Sequence, residues 1–526
     1  MNRKYFFCVI LLLLSSCEKK ESVKNYIYII GDGMGPQQLG LLWSYAKYAA
    51  SSPYSDKETW SEKMIKESRM TLSLTNAYHV LTTDSAASAT QMASGKKTRP
   101  EIVGADYQGD SVESILEIAK SKGLKTGLVS DTRMTHATPA GFGAHEVHRK
   151  MENEIASDLI ENKIDVLFSG GIRHWIPKDI KKERNHFEEL KVKTFNRFKI
   201  KSKRKDNRNL LKEAEEVGYQ VALSKSDLKK IKMTPVLGLF SFGSMPSGIA
   251  EERHENPNIP RLEELTKKAL SLLENKNGFF LMVEAGQIDY ASHNNDAGAL
   301  LHEMLKFDQV VQTVYSWAKE REDTVVIITA DHETGGFGMS YSSFEIPKPI
   351  PLEGNIFKGK DYQPRFQFGK MDQLDLMAKQ TKTLEEIYQS WVNLKKKDQT
   401  VSYLKKIIFE STGLLLKNEE LKSILKREKN NYFYEGHPTL GGKTYPQVNH
   451  LKEYYVYGEE TFKNLMGHAL AKYQGVTWAT GTHTHTPVPL IVWGPSRIKD
   501  QFKSISHTTV WGKQMIEILK NQMSGS

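Results

Sequence analysis

At 526 residues, 39% hydrophobic and 26% charged, the chain holds enough apolar material for a large core, and a disordered or fibrous class is excluded. The formal charge of +10 rests on lysine-rich stretches such as "VNLKKKDQTVSYLKK", which read as solvated helix faces. No nucleic-acid site is therefore expected, and two cysteines, Cys8 and Cys17, cannot found a disulfide framework.

The chain opens with "MNRKYFFCVILLLLSSCEKK". Arg3 and Lys4 form a basic head, and the apolar run from Tyr5 to Leu14 is too short to span a bilayer. Leu14-Ser15-Ser16-Cys17 is similar to the lipobox of bacterial lipoproteins, in which the cysteine is acylated and becomes the new N-terminus. Residues 1–16 read as a signal peptide and 17–24 as a polar tether. The mature protein is expected at the cell envelope, in the periplasm or on the outer membrane surface, held by lipid on Cys17.

From residue 25 the pattern is strand, glycine-rich turn, helix. "NYIYIIGDGMG" is a buried strand that places Asp32 at its carboxyl end. "YHVLTT", a strand or a loop, leads to a small-residue helix from Ala86 to Ser94 that Gly95 stops. "KTGLVSDTRMTHATP", "KIDVLFSGG", "NGFFLMVEAGQIDYASH", "DTVVIITADHETGG" and "PVPLIVWGP" repeat the buried strand, with helices such as "SVESILEIAKSKG" between them. Continuous apolar strands alternating with helices predict a three-layer α/β/α sandwich around a large, mostly parallel sheet. Residues 25–340 and 475–526 form this core. Residues 341–474, richer in Lys, Tyr, Gln and Asn, read as an inserted cap.

In such sheets ligands sit beyond the carboxyl ends of the strands, where this chain keeps its Asp, Glu and His residues. Ser85 stands at a helix N-terminus, which favours phosphate and would favour an alkoxide; taken by itself, it reads first as a plain helix cap. Asp289 and His293, four apart, share one helix face and can grip one ion. Asp331 and His332 end a buried strand, His483 and His485 precede another, and Asp32 completes the set. Buried charges need partners, and divalent cations satisfy several at once. Asp289, His293 and His483 form one zinc-type set, Asp32, Asp331 and His332 a second, and Asp32, Thr138 and Glu284 an oxygen-only set suited to magnesium.

Six colinear stretches, "YIIGDGMG", "TTDSAASATQMASGKKT", "HATPAGFGAHEVHR", "MVEAGQIDYASH", "TADHETGG" and "THTHTPVPLIVWGP", closely resemble the alkaline phosphatases. The resemblance covers residues 25 to 340 and 475 to 522. It implies hydrolysis of phosphate monoesters at a site of two Zn2+ and one Mg2+, with Ser85 as the phosphorylated nucleophile and Arg149 gripping the phosphate. It also implies that Asp32 bridges the second zinc and the magnesium, that Asp331 and His332 complete that zinc, and that Asp289, His293 and His483 hold the first. Thr138 and Glu284 are implied as magnesium ligands. His136 and Tyr290, which vary in the family, are expected beside the ligands, as is His485; counting back from Gly494, His483 holds the ligand position. Family members are often dimers, so a homodimer is an open expectation. A phosphodiesterase or sulfatase of the same superfamily is the alternative, although no formylglycine-type motif is found.

Overall fold

The apolar run Asn25–Gly31 forms β1, the middle of a ten-stranded sheet, in a computed structural model that describes residues 22–449 and 451–522. The expected signal peptide and Cys17 lie outside those residues. The other strands are β2 (Arg69–Leu74), β3 (Lys125–Arg133), β4 (Val166–Gly170), β5 (Gln220–Ala222), β6 (Val236–Leu239), β7 (Phe279–Ala285), β8 (Thr324–Thr329), β9 (Val488–Trp493) and β10 (Ser506–His507). Their order is β10-β2-β9-β8-β1-β7-β3-β4-β6-β5. Every pairing is parallel except those of β9, which runs antiparallel to both β2 and β8. That reversal carries a consequence for the site: the chain entering β9 lies at the edge where the parallel strands end.

The sheet is covered on both faces, and β1 is accordingly apolar from Tyr26 to Ile30. Ile27 and Ile29 join one core cluster, while Tyr26, Tyr28 and Ile30 join the other. Each such fully buried side chain contributes about 2 kcal/mol. The fold is therefore α/β in three layers. On the second face lie α1 (Ser85–Ser94) and α2 (Ala137–Gly143). They pack almost backbone to backbone: a Cβ on Gly141 would stand 2.7 Å from that of Ala89. The small residues following Ser85 thus serve a close helix approach, which carries Thr138 toward the strand ends. Gly95 ends α1 at φ +68°, a left-handed turn that a glycine adopts without strain. The "YHVLTT" stretch is loop, since β2 stops at Leu74.

After β7 come α3 (Gln287–His293) and the long α4 (Ala297–Ala318), which packs on the opposite face. Gly338–Met339 pairs antiparallel with Val476–Thr477, so the two ends of the intervening segment meet. That segment builds an apolar cluster of its own around Leu384, Leu404, Leu421 and Met466. It closes with α5 (Gly458–Gln474), which returns to the core. The last helix is α6 (Thr508–Gln522), against α1.

Candidate active site

β1 and β8 are neighbours in register, with Ile30 beside Thr329, so Asp32 and Asp331 leave the sheet side by side. Both carboxylates and the His332 ring are fully buried. Asp32 Oδ1 and Asp331 Oδ2 have no hydrogen-bond partner among the described residues, and they lie 3.6 and 3.2 Å from His332 Nε2. The second Asp331 oxygen is occupied, accepting from Gly33 N at 3.1 Å and His332 N at 2.9 Å. Burial, reinforced by Asp331, Asp289 and Glu284, holds the Asp32 carboxyl well above its usual range; burial lifts Asp331 to about 6. Burial also pushes His332 down to about 4, leaving a neutral ring with a lone pair. Two buried carboxylate oxygens without a donor, beside a neutral imidazole nitrogen, form a donor set suited to a divalent cation.

The second cluster is carried by α3, where Asp289 and His293 share one face with Oδ2 and Nε2 3.3 Å apart. His483 Nε2 lies 3.1 Å from His293 Nε2 and 3.7 Å from Asp289 Oδ1. The other nitrogen of each ring donates to a carbonyl: His293 Nδ1 to Gly481 O at 2.7 Å, His483 Nδ1 to Thr83 O at 2.9 Å. Those bonds fix the ring orientations and direct both Nε2 atoms inward. Burial and the stacked His332 ring drive His483 down to about 3. Burial also opposes charge on His293, but Asp289 outweighs it and lifts that ring to about 9. His483 reaches the cluster because His483–Thr484 pairs with Glu333–Thr334 before the chain enters β9. His485 is exposed and belongs to none of the clusters.

Glu284, the penultimate residue of β7, anchors the third cluster. Ser130 Oγ and Thr132 Oγ1 donate to its Oε2, the latter at 3.0 Å, and His136 Nδ1 stands 3.2 Å from Oε1. Thr138 Oγ1 donates to Asp32 Oδ2 at 3.4 Å. His136, expected only beside the ligands, stands with Asp32 and Glu284 as a group whose ligand atoms lie within 4.8 Å of one another. An imidazole there departs from the all-oxygen set read in the sequence. Tyr290 stays outside, edge-on to His136 with ring centroids 6.0 Å apart and its hydroxyl accepting from Arg133 Nη1 at 3.4 Å.

Ser85 is the first residue of α1, and the cap is Asp84, whose carboxylate accepts from Ala87 N at 3.2 Å and Ala86 N at 3.3 Å. The serine is thereby released from capping, and its Oγ lies 3.3 Å from His332 Nε2. Asp84 Oδ2 also accepts from Arg149 Nη1 at 2.9 Å, while Arg149 Nη2 stands 3.3 Å from His136 Nε2. The other hydroxyls around Ser85 are engaged in structure: Ser88 Oγ donates to Asp331 O at 2.7 Å, and Thr90 Oγ1 accepts from Gly104 N at 2.9 Å.

The alkaline phosphatase family model matches residues 23–521, nearly the whole chain. The chain belongs to the alkaline phosphatase family. Alkaline phosphatase 4 of Bacillus subtilis (strain 168) is 37% identical over 327 residues, covering 61% of this chain and 63% of that protein. The alkaline phosphatase of Escherichia coli (strain K12) is 29% identical over 358 residues, covering 59% of this chain and 70% of that one. The match thus spans less than two thirds of the B. subtilis relative. The crystal structure of the Thermus thermophilus alkaline phosphatase shares the fold, with a TM-score of 0.72 at 22% identity over 96% of both chains. A cold-active alkaline phosphatase of Shewanella sp. gives 0.67, also at 22% identity, over 94% of this chain and 99% of that one.

Around these three clusters stand further residues outside the ligand sets. Asp84 was detectable, because an Asp directly before a helix is a strong capping signal. Thr334 Oγ1, donating to Asp289 Oδ1 at 2.6 Å, sits inside a quoted motif. Asn464, whose amide donates to His293 O, and Tyr457, edge-on to the His293 ring at 5.3 Å, come from α5 and its cap residue. Nothing in their local sequence marks them.

Proposed function

We propose that the chain hydrolyses phosphate monoesters through a phosphoserine on Ser85 and releases inorganic phosphate. The observation that carries this reading is the Ser85 hydroxyl beside His332 Nε2, freed from capping by Asp84, at a pocket with two unpartnered carboxylate oxygens. Asp32, Asp331 and His332 would hold one cation, Asp289, His293 and His483 a second, and Asp32, Glu284, Thr138 and His136 a third. With the first two as zinc and the third as magnesium, such ions would lower the proton affinity of the hydroxyl and of the attacking water.

Ser85 Oγ attacks phosphorus in line, the serine–phosphate bond forms and the ester alcohol departs. Water then attacks the phosphoserine from the opposite side and returns the hydroxyl, so two inversions leave net retention. Arg149, held by Asp84 yet partly open to solvent, offers the guanidinium edge that pairs with phosphate oxygens. The N-terminus of α1 favours the negative charge gathering at Ser85. Deprotonation of the serine and the water favours alkaline conditions. No named residue addresses the leaving group, so a broad range of small phosphate monoesters is the substrate class.

The third site's donor set includes His136, and a TAB5 alkaline phosphatase variant with Asp in place of a histidine has Mg bound in its M3 site. We read magnesium here as the weakest bound of the three ions. The motif at Cys17 supports export and lipid anchoring, and no helix among the described residues is long and apolar enough to cross a membrane. Residues 341–474 are read as a cap inserted in the core, supported by the pairing of their two flanks. The test is hydrolysis of phosphate monoester, phosphate diester and sulfate ester side by side, with Ser85→Ala as control. Monoester preference abolished by the substitution is expected; a diester or sulfate preference, or full activity in Ser85→Ala, would overturn the reading.

A further inference from the structure

The sheet edge opposite the metal clusters carries a charge pattern that phosphate hydrolysis does not use. In the order β7, β3, β4, β6, the segments entering the strands contribute Lys276, Lys122, Lys163 and the trio Lys229, Lys230 and Lys232. Five of these are exposed and Lys122 is half-buried; none makes an ion pair within 4.0 Å among the described residues. Neighbouring strands are about 4.8 Å apart, so the row extends roughly 15 Å.

Lys120 and Lys268 add charge behind it, because they donate to the carbonyls of Asn162 and Ile231 at 2.5 Å rather than to carboxylates. On these four strands the edge carries three carboxylates, two of them engaged: Asp165 accepts from Thr126 N at 2.9 Å, and Glu274 pairs with Arg321. Glu161 is exposed. The flanking strands add exposed Glu215 and Glu216 before β5 and Glu320 and Glu322 before β8, so the lysine row is bounded by acidic residues on both sides. Met233, 66% exposed, follows the trio directly. β1 starts on the same edge. Cys17 precedes Ser22 by five residues, a reach of at most about 18 Å when fully extended.

We propose that this edge docks on an anionic phospholipid surface, with the lysine row meeting headgroup phosphates beside the point where the acylated N-terminus enters. Its orientation rests on the lipid anchor proposed above; its charge complementarity does not. The strand ends that carry the clusters are one β1 length away, about 23 Å. The catalytic pocket therefore opens away from the bilayer, toward soluble esters.

The test is vesicle flotation of residues 18–526, which lack both Cys17 and the apolar run from Tyr5 to Leu14, so that neither an acyl group nor the signal peptide contributes. The chain should float with phosphatidylcholine vesicles containing about 30% phosphatidylglycerol at about 0.05 M salt, and be released at about 0.5 M salt. At about fivefold per lysine, the triple variant Lys229→Gln, Lys230→Gln, Lys232→Gln should partition on the order of a hundredfold more weakly. Retained hydrolysis of p-nitrophenyl phosphate would show that it is folded. Equal flotation with pure phosphatidylcholine, or unchanged partition of the triple variant, would overturn the docking. The mass of the N-terminal peptide from the native chain reads the anchor separately: absence of acyl mass removes the anchor while the flotation result stands on its own.

Discussion

Substituting Asp84 separates two tasks that one carboxylate performs. It caps α1 through Ala86 N and Ala87 N, accepts from Glu101 N at 2.9 Å, and holds Arg149 Nη1 at 2.9 Å. Asn caps as well as Asp, so Asp84→Asn keeps the helix start and removes only the anion facing the guanidinium. Asp84→Ala removes both. Loss of the cap costs about 1 kcal/mol. Loss of the charge-assisted bond costs about 1.5 kcal/mol, the low end of its range, because the pair is 16–23% exposed and partly screened. At about 2.1 cal/mol/K of unfolding entropy per residue, about 1 kcal/mol corresponds to about 1 °C in a chain of this size. Calorimetry should therefore show Asp84→Asn melting about 1.5 °C and Asp84→Ala about 2.5 °C below the parent. Kinetics should show a shared defect, about tenfold in kcat/KM for p-nitrophenyl phosphate, since both leave Arg149 unheld. Parental kcat/KM in Asp84→Asn, or coincident melting of the two variants, would refute this division of tasks.

Chelation should lower the melting temperature and Zn2+ should restore it, because Asp32 and Asp331 then regain a counter-charge. Asp331→Asn should destabilise the metal-loaded protein yet stabilise the chelated one, by about 1 kcal/mol in each direction; a lower melting temperature in both forms would count against a cation site. Elemental mass spectrometry should find one zinc equivalent missing in His483→Ala and none in His485→Ala, and equal loss in both would contradict the clusters. His145 is raised to about 9, chiefly by its hydrogen bond with Glu117. A raised folded-state value means stabilisation fully present below about pH 6.5 and lost as pH rises through about 9. Its size is about 1 kcal/mol after discounting for a ring 27% exposed. Because His293 is raised to about 9 as well, urea unfolding at pH 6 and pH 10 should register a loss about 1 kcal/mol larger in the parent than in His145→Gln; equal losses would exclude the pair as its source.

The strand-turn-helix alternation was legible because a strand buried on both faces must be apolar throughout, as Asn25–Gly31 nearly is and Thr324–Thr329 largely is. Strand ends rich in Asp and His announced a cation site for a similarly local reason, since buried charge has few other justifications. The α3 pair of Asp289 and His293 follows from helical spacing alone. Asp84, by contrast, was overlooked although its position before a helix is a capping signal readable in the sequence.

What the sequence determined by itself was chemistry carried by neighbours along the chain: which residues end strands, which share a helix turn, which loops are glycine-bounded. Tertiary structure alone decided what meets across the sheet. An apolar run such as "PVPLIVWGP" reads the same in either direction, yet only an antiparallel β9 brings the residues before it, His483 among them, to the edge where parallel strands finish. Packing of α2 on α1 set His136 among the ligand atoms, and the return of α5 placed Asn464 and Tyr457 against His293. Strand direction and long-range docking minimise the free energy of the whole assembly, so no window of residues encodes them.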